Sequence, residues 1–296
     1  MAQQYFEDDC MYFIISDLHG QGKIYDYIVN HLDQETIAKG KRTKLIINGD
    51  IIDRGPESIR MLIDIMERSK ARKGNIDVTI LPGNHEEMMF AALNYYKNHG
   101  CWDRGPGYTT NNLWFHPANH GLKTCEEFFQ LPPDTQKELF NFLKELPLYC
   151  VLKTKKPGNN SYVIVHANPP SNALTETTIP TLGMVVTDER FNFLRECLIY
   201  RKPDNSSDKV SLPDEGVITI IGHTPVMNDN GFSVCENGKL LMIDGGCAFM
   251  ADNPDSDNII MKEMATLVKL SDVPGKTEVG IYGNQLQKNL RQGAKI

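Results

Sequence analysis

Five apolar runs in the sequence are each followed at once by residues that could bind metal ions or move protons. These five segments are FIISDLHG, LIINGDIIDRG, TILPGNHE, VIVHAN and ITIIGHT. If each run is a strand of an open α/β sheet, the residues that follow it lie at the carboxyl end of the strand, where such sheets bind ligands. The sequence therefore predicts one shared site that contains Asp17, His19, Asp50, Asp53, Arg54, Asn84, His85, His166 and His223.

The residue types in this set favour transition metals. Neutral imidazoles mixed with carboxylates and an amide oxygen suit Mn, Fe or Zn, whereas Ca and Mg prefer ligand shells made of oxygen alone. The candidate ligands outnumber those of a single structural zinc, and two ions bridged by a carboxylate would use them all. We therefore predict two divalent transition-metal ions, with Mn as the first expectation and Fe or Zn as alternatives.

Each of these residues also has a simpler explanation when it is considered alone. Asp17 and His19 could cap a turn, and Asp53 with Arg54 could form a structural ion pair at the start of a helix. Asn84 could adopt a left-handed turn, and a single histidine at the rim could be hydrogen-bonded without binding metal. Because the segments recur along the chain in the same strand-end setting, a shared site is the better explanation.

The elements that must position these side chains follow from the hydrophobic pattern. Short runs rich in β-forming residues predict strands at 12–16, 44–48, 77–81, 148–152, 162–166, 217–221, 240–244 and 265–270. Several runs are apolar throughout, which is typical of strands covered on both faces. Helical patterns occur at 22–32, at 56–69, from Glu86 onwards and at 134–146. This alternation predicts an α/β fold.

Residues 98–133 show no clear period and are too numerous for a plain connection. With the helix at 134–146 they form a predicted cap over about 98–146. We expect the stretches 168–188 and 203–214 to be surface insertions, and the tail from about 272 to 296 to be weakly ordered.

Composition excludes several classes of protein. The chain is 41% hydrophobic and 23% charged, as expected for a globular protein with a large core. It has no apolar run long enough to span a membrane and no signal-peptide pattern. Its 31 basic and 38 acidic residues give a net charge of −7, which disfavours duplex nucleic acid as a partner. Seven cysteines without a C-x-x-C pair indicate neither a zinc knuckle nor a disulfide framework. We expect a cytoplasmic protein with no membrane partner, and the sequence does not set its oligomeric state.

The five segments resemble the metallophosphoesterases, and most closely the bacterial and phage-type serine/threonine protein phosphatases. The motifs are D-x-H at 17–19, G-D-x-x-D-R-G at 49–55, G-N-H-E at 83–86, V-H-A at 165–167 and G-H-T-P at 222–225, in the order of that family. A further I-D-G-G is present at 243–246. The resemblance implies a four-layer α/β fold, with two mixed β-sheets sandwiched between helices, in a single domain over residues 1–296.

The resemblance also implies a role for each residue. Asp17 and His19 would bind the first metal ion, Asp50 would bridge, and Asn84, His166 and His223 would bind the second. His85 would be the general acid with Asp53 as its partner, while Arg54 and Asn84 would bind phosphate. Arg201 is in the position of a second phosphate-binding arginine, but Tyr200 precedes it where those enzymes usually show Trp. A solvated surface role therefore remains open for Arg201.

The implied reaction is hydrolysis of a phosphate ester by direct attack of a metal-bound hydroxide, without a covalent intermediate. Phosphorylated proteins are the expected substrates, which would make the chain a serine/threonine protein phosphatase. The alternatives are a symmetrical dinucleoside tetraphosphate hydrolase, with a nucleotide substrate, and an inactive phospho-binding module. The residues at the strand ends bind metal and phosphate, which leaves few of them to recognise the rest of the substrate. We therefore expect Trp102, Trp114 or His116 in the cap to select the leaving group. Arg104 could also contact substrate.

Overall fold

Two mixed β-sheets form the centre of the computed structural model. The residues that it describes are 4–71, 76–105, 107, 109, 111–176, 178–199, 216–226, 233–235, 238–247 and 264–283. In one sheet the strand order is β11-β10-β2-β3-β4, and in the other it is β1-β5-β6-β7-β9-β8. The predicted α/β fold with two mixed sheets and surrounding helices is therefore confirmed.

The first sheet is built from β-α-β units at the start of the chain. Its strands are β2 (Cys10–Ile15), β3 (Arg42–Asn48), β4 (Ile76–Leu81), β10 (Met264–Leu270) and β11 (Glu278–Gly283). The first three strands are parallel, and β10 and β11 are antiparallel additions at one edge. Helices α1 (Gly22–Lys39), α2 (Ser58–Ala71) and α3 (Asn84–His99) follow the three parallel strands in turn.

The second sheet uses the later part of the chain together with a short strand from its beginning. Its strands are β1 (Gln4–Tyr5), β5 (Tyr149–Lys153), β6 (Ser161–Val165), β7 (Val217–Ile221), β8 (Ser233–Cys235) and β9 (Leu240–Met242). Strands β6, β7 and β9 are parallel, so the residues that follow β6 and β7 come to one edge of this sheet. All eight predicted strands are present, each within two residues of its predicted bounds.

Alternation along β2 shows how the layers pack. Tyr12 and Ile14 lie in a core shared with Tyr162 and Ile164 of the second sheet. Phe13 and its neighbours on the opposite face lie in the core that includes the helices. Both faces of the strand are therefore buried, which explains why its sequence is apolar throughout.

The segment predicted as a cap contains two short 3₁₀ helices, η1 (Leu113–Phe115) and η2 (Pro117–Asn119), and two α-helices, α4 (Gly121–Phe129) and α5 (Pro133–Lys144). The α-helices pack against α2 and α3. Leu139 and Leu143 of α5 are fully buried in the same core as those helices. This half of the cap therefore belongs to the helical layer beside the first sheet.

Two other regions differ from their predicted character. The stretch 168–188 was expected on the surface, but it contributes α6 (Leu182–Thr187), in which Leu182 and Val185 are fully buried. A 3₁₀ helix, η3 (Glu189–Cys197), follows it. Of the tail expected to be weakly ordered, residues 278–283 form β11. The predicted insertion at 203–214 lies outside the described residues. In the described ranges, no helix combines the length and apolarity that crossing a membrane requires.

Candidate active site

The ends of five strands bring the predicted site residues together. Asp17 and His19 follow β2, residues 50–54 follow β3, and Asn84 and His85 begin α3 directly after β4. His166 and His223 follow β6 and β7 of the other sheet. The backbone N–H of His223 donates to the Asp17 carboxylate at 3.0 Å, and this hydrogen bond joins the two sheets at the site.

The backbone at these positions is unusual. Six site residues adopt the left-handed conformation, with φ between 41° and 70°: Asp17, His19, Asp50, Asp53, Arg54 and His223. Among the described residues, His120 is the only other non-glycine residue with a positive φ. Left-handed backbone is disfavoured for residues with a Cβ and concentrates at functional sites, where the fold must hold it in place. The positive φ values thus mark this edge independently of the sequence motifs.

Asp50 lies at the centre of the site. One of its carboxylate oxygens, Oδ2, is 3.6 Å from His19 Nε2 and 3.5 Å from His166 Nε2. The other oxygen accepts the backbone N–H of His85 at 3.0 Å. Gly83 is required beside it, because a Cβ there would lie 2.1 Å from Asp50 Oδ1. These contacts fix the Asp50 carboxylate between the two imidazoles.

At this edge of the sheets, two groups of side chains could hold metal ions, and Asp50 belongs to both. The first contains His19, Asp50 and His85, and the second contains Asp50, His166 and His223, each with ligand atoms within 4.8 Å of one another. His166 Nε2 is buried and makes no hydrogen bond to any described residue. The other ring nitrogens of His19 and His166 lie 3.1 and 3.0 Å from the carbonyl oxygens of Ile52 and Asn48. Such contacts orient an imidazole for coordination through its free nitrogen. The donor set therefore fits a pair of divalent metal ions.

Asp17 and Asn84 lie beside these groups. Ser16 Oγ donates to the Asp17 carboxylate. Asn84 Oδ1 is 2.9 Å from His223 Nδ1, so this amide is within reach of the second group. Both residues are thus placed where the sequence predicts ligands.

The buried carboxylates and imidazoles of the site shift one another's pKa values. Burial raises the pKa of Asp17, and the nearby Asp244 carboxylate raises it further. Burial lowers the pKa of His166, but the negative charges of Asp50 and Asp17 outweigh it and raise this pKa to about 10. Burial also opposes ionisation of Asp50, yet His166 and His85 hold its pKa well below the usual range. Carboxylates that favour a proton on His166 also favour a divalent cation, which would take the place of that proton.

His19 and His85 have opposite electrostatic settings, although their rings are only 4.8 Å apart. Burial, and then the proximity of His85, lowers the pKa of His19, so a neutral imidazole is favoured. Burial opposes protonation of His85 as well, but the carboxylates of Asp50 and Asp53 outweigh it and raise its pKa. His85 Nδ1 lies 2.7 Å from Asp53 Oδ2. These surroundings favour a ligand at His19 and a proton donor at His85.

Of the two predicted phosphate-binding arginines, the structure describes only Arg54. Arg54 follows Asp53 in the left-handed turn after β3. Its side chain is half-buried, and its Nε makes no hydrogen bond to any described residue. A guanidinium in this state can still bind an anion. Arg201 lies outside the described residues.

Sequence reasoning missed three residues of the site. Glu86 is fully buried, and its carboxylate accepts the backbone N–H groups of Asp50, Ile51 and Gly83 at 2.8–2.9 Å. Asp244 is buried, and burial with the nearby Asp50 raises its pKa to about 7. Both residues belong to motifs noted in the sequence, G-N-H-E and I-D-G-G, and that was the available signal.

Trp114 is the third residue, because the sequence placed it in the cap as a residue that selects the leaving group and did not reveal its contact with Asp53. In the structure Trp114 is fully buried, and its indole Nε1 donates to Asp53 at 2.9 Å. No local signal reveals this contact, because the two residues are 61 positions apart in the chain.

Structures of known phosphatases share this fold. A serine/threonine phosphatase from Saccharomyces cerevisiae is 15% identical with a TM-score of 0.55, over 99% of this chain and 86% of that one. A cold-active protein tyrosine phosphatase is 16% identical with a TM-score of 0.51, over 94% and 79%. A candidate diadenosine tetraphosphatase is 13% identical with a TM-score of 0.50, over 96% and 99%. At these identities the likeness concerns the fold alone.

Comparison with protein families is more specific. Residues 12–227 match the calcineurin-like phosphoesterases, and this range contains all five motifs. No curated protein matches the chain at a significant level. The chain therefore belongs to the calcineurin-like phosphoesterase family and is a metal-dependent phosphatase.

Proposed function

We propose that this phosphatase hydrolyses phosphoserine and phosphothreonine in proteins, with two divalent transition-metal ions at Asp50. The observation that carries the proposal is the buried His85–Asp53 pair, which lies directly beside the Asp50 carboxylate. A serine or threonine alkoxide is a poor leaving group, so its departure requires a proton donor close to the metal ions.

In the proposed centre, Asp17 and His19 would hold the first ion, while Asn84, His166 and His223 would hold the second. Asp50 would serve both ions, since His19 and His166 approach the same carboxylate oxygen. Two such ions would activate a water molecule and neutralise charge on the phosphate oxygens. Mn is the expected metal because the set mixes imidazoles with carboxylate and amide oxygens.

Arg54 and Asn84 bind the phosphate in this proposal. The Arg54 guanidinium can donate two parallel hydrogen bonds to phosphate oxygens and stabilise the charge that develops there during transfer. We propose the same function for Arg201, which the sequence places in the position of a second arginine. Its Arg201→Ala variant should weaken phosphate binding.

His85 acts as the general acid, and Asp53 holds its ring. Asp53 occupies Nδ1 of the imidazole and leaves Nε2 to give its proton to the departing oxygen. The raised pKa of His85 favours the protonated ring that a general acid needs. The same geometry with an inactive centre would be a phospho-binding module. Such a module could use Arg54 to bind phosphate, but it would have no use for the buried proton donor at His85.

A substrate comparison tests the proposal. We would assay a phosphoserine peptide, diadenosine tetraphosphate and p-nitrophenyl phosphate at matched enzyme concentration with Mn²⁺. We expect the peptide to be hydrolysed with a higher kcat/KM than the dinucleotide. A strong preference for the dinucleotide would instead identify a dinucleoside tetraphosphate hydrolase.

The role of His85 needs a second comparison. His85→Asn should reduce kcat on the phosphopeptide by about 10²–10⁴ and clearly less on p-nitrophenyl phosphate, whose leaving group needs no proton. His99→Asn is the matched control, because His99 is an exposed histidine at the other end of the same helix. Equal losses on both substrates, together with reduced Mn content, would instead make His85 a metal ligand.

A further inference from the structure

The cap contributes a buried hydrogen bond to the acid pair. Trp114 of η1 and Asp53 are both fully buried. The indole Nε1 lies 3.1 Å from Asp53 Oδ1 and 2.9 Å from Oδ2. Oδ2 is also the oxygen that lies 2.7 Å from His85 Nδ1. Indole, carboxylate and imidazole therefore form one continuous chain.

Asp53 depends on these two neighbours. Within the described residues, its carboxylate makes hydrogen bonds only to Trp114 and His85. Its backbone N–H donates to Ser58 Oγ, which holds the main chain but not the carboxylate. A buried carboxylate needs donors for both oxygens, and a rotation about its terminal bond would lose one of them. The indole N–H thus fixes the plane of the carboxylate that meets His85.

We propose that Trp114 is a positioning residue for the proton transfer, because its indole N–H holds the Asp53 carboxylate in the orientation that aligns His85. This inference rests on the proposed function of His85 as the general acid. Volume alone does not require tryptophan here, since phenylalanine would also fill an apolar space. The N–H is what the position needs, because a buried indole requires an acceptor and Asp53 provides one.

The indole is also held by Gly121, the first residue of α4. A Cβ at Gly121 would lie 2.3 Å from Trp114 Cδ1 and 2.4 Å from Nε1. The indole edge that bears the N–H therefore packs directly on this glycine. In addition, Asn119 Nδ2 donates to the Leu113 carbonyl at 2.8 Å and holds η1 in place. The cap thus supplies the indole N–H of Trp114 and also fixes the direction in which it points.

The contact itself can be tested without catalysis or metal. The chain contains two tryptophans, so a ¹⁵N-labelled sample gives two indole N–H resonances, and Trp114→Phe assigns them. We expect Asp53→Asn to shift the Trp114 resonance and to leave that of Trp102 in place. An unshifted Trp114 resonance would overturn the proposal.

The consequence for catalysis is tested with two leaving groups. Trp114→Phe should lower kcat on the phosphoserine peptide by about tenfold, with little change in KM and a clearly smaller loss on p-nitrophenyl phosphate. Gly121→Ala keeps the indole but displaces it, and should show the same asymmetry. Phe140→Leu is the control for general destabilisation, because Phe140 is a buried aromatic of α5 whose ring packs against Phe90. It should affect both substrates equally.

The outcomes separate this inference from the proposed function. If His85→Asn shows the asymmetry but Trp114→Phe and Gly121→Ala do not, the positioning function is overturned and the general acid stands. If His85→Asn lacks the asymmetry as well, both are overturned. Asymmetry in all three variants, with none in Phe140→Leu, supports both.

Discussion

Replacement of Arg195 by methionine should destabilise the protein in a manner that depends on pH. Glu87 of α3 is buried, with a side chain 6% exposed, and Arg195 of η3 approaches it to 2.6 Å with a side chain 34% exposed. Neither Arg195 Nε nor Glu87 Oε1 makes an aligned hydrogen bond to a described residue. Charge attraction is therefore the main compensation for burying this carboxylate.

The magnitude follows from burial. Breaking a fully buried ion pair costs about 3–5 kcal/mol, because the remaining charge is left without a partner. Since Arg195 is one-third exposed, solvent screens part of this attraction, and we expect Arg195→Met to lose about 2 kcal/mol at pH 8. The double variant Glu87→Met with Arg195→Met removes both charges and should recover most of that loss.

The direction of the pH dependence follows from the pKa of Glu87. Burial raises this pKa above its ordinary value of 4.5, and Arg195 partly opposes the increase. Without Arg195 the pKa in the folded protein rises further. A raised carboxyl pKa in the folded protein costs stability only at pH values where this carboxyl is ionised in the unfolded chain. The cost is therefore absent below about pH 4.5, and it grows as the pH rises through the pKa of Glu87 in the folded protein. Arg195→Met should therefore be closer to the wild type at pH 5 than at pH 8.

Urea unfolding at both pH values, in the presence of a chelator, measures this effect. The control is Arg190→Met, the same substitution in the same helix, because Arg190 is 82% exposed and its loss should change stability little. The reasoning is refuted if Arg195→Met loses no more than this control at pH 8, or loses the same amount at both pH values.

Three further predictions concern other parts of the molecule. The hydrogen bond from Lys44 lowers the pKa of Glu7 to about 2. The ionised Glu7 carboxylate therefore stabilises the folded protein above pH 4.5, and this stabilisation is lost as the pH falls towards 2. Because Glu7 is 40% exposed, Glu7→Gln should cost only about 1 kcal/mol in urea unfolding at pH 7 and nothing at pH 2; a constant difference would contradict this. Arg54→Ala should reduce turnover by about 10²-fold and leave the unfolding free energy within about 1 kcal/mol, whereas a large loss of stability would indicate a structural ion pair. Glu86→Ala leaves four backbone N–H groups without their acceptor and should cost about 3–5 kcal/mol in metal-free urea unfolding, and a loss below about 1 kcal/mol would refute the role given to Glu86.

Most of the fold could be predicted because its strands are buried on both faces. Such strands are apolar throughout and are followed abruptly by polar residues, so their ends are clear in the sequence. The elements that were missed carry weaker signals. Strands β1 and β8 have two and three residues, too few to show a period. Helix α4 begins after His120 in the left-handed conformation and has no side-chain cap, so its start is not marked.

Only the part of the candidate site that is encoded in short sequence motifs could be predicted from the sequence. Metal-ligand candidates follow strands directly, and the sheets then bring the strand ends together. The partners of these residues depend on contacts between distant segments. Trp114 reaches Asp53 across 61 positions, and no periodicity or motif encodes that contact. The sequence showed Asp244 only as part of the I-D-G-G motif and assigned it no role. Its effect on the pKa of Asp17 depends on how the ends of the strands come together in the fold.

The most direct test of the account is a crystal structure of the Mn-loaded protein with anomalous data collected at the manganese edge. We predict two anomalous peaks, one on each side of the Asp50 carboxylate, with His19 beside the first and His166 and His223 beside the second. A single peak in the active enzyme, or peaks that do not contact Asp50, would contradict the two-metal centre.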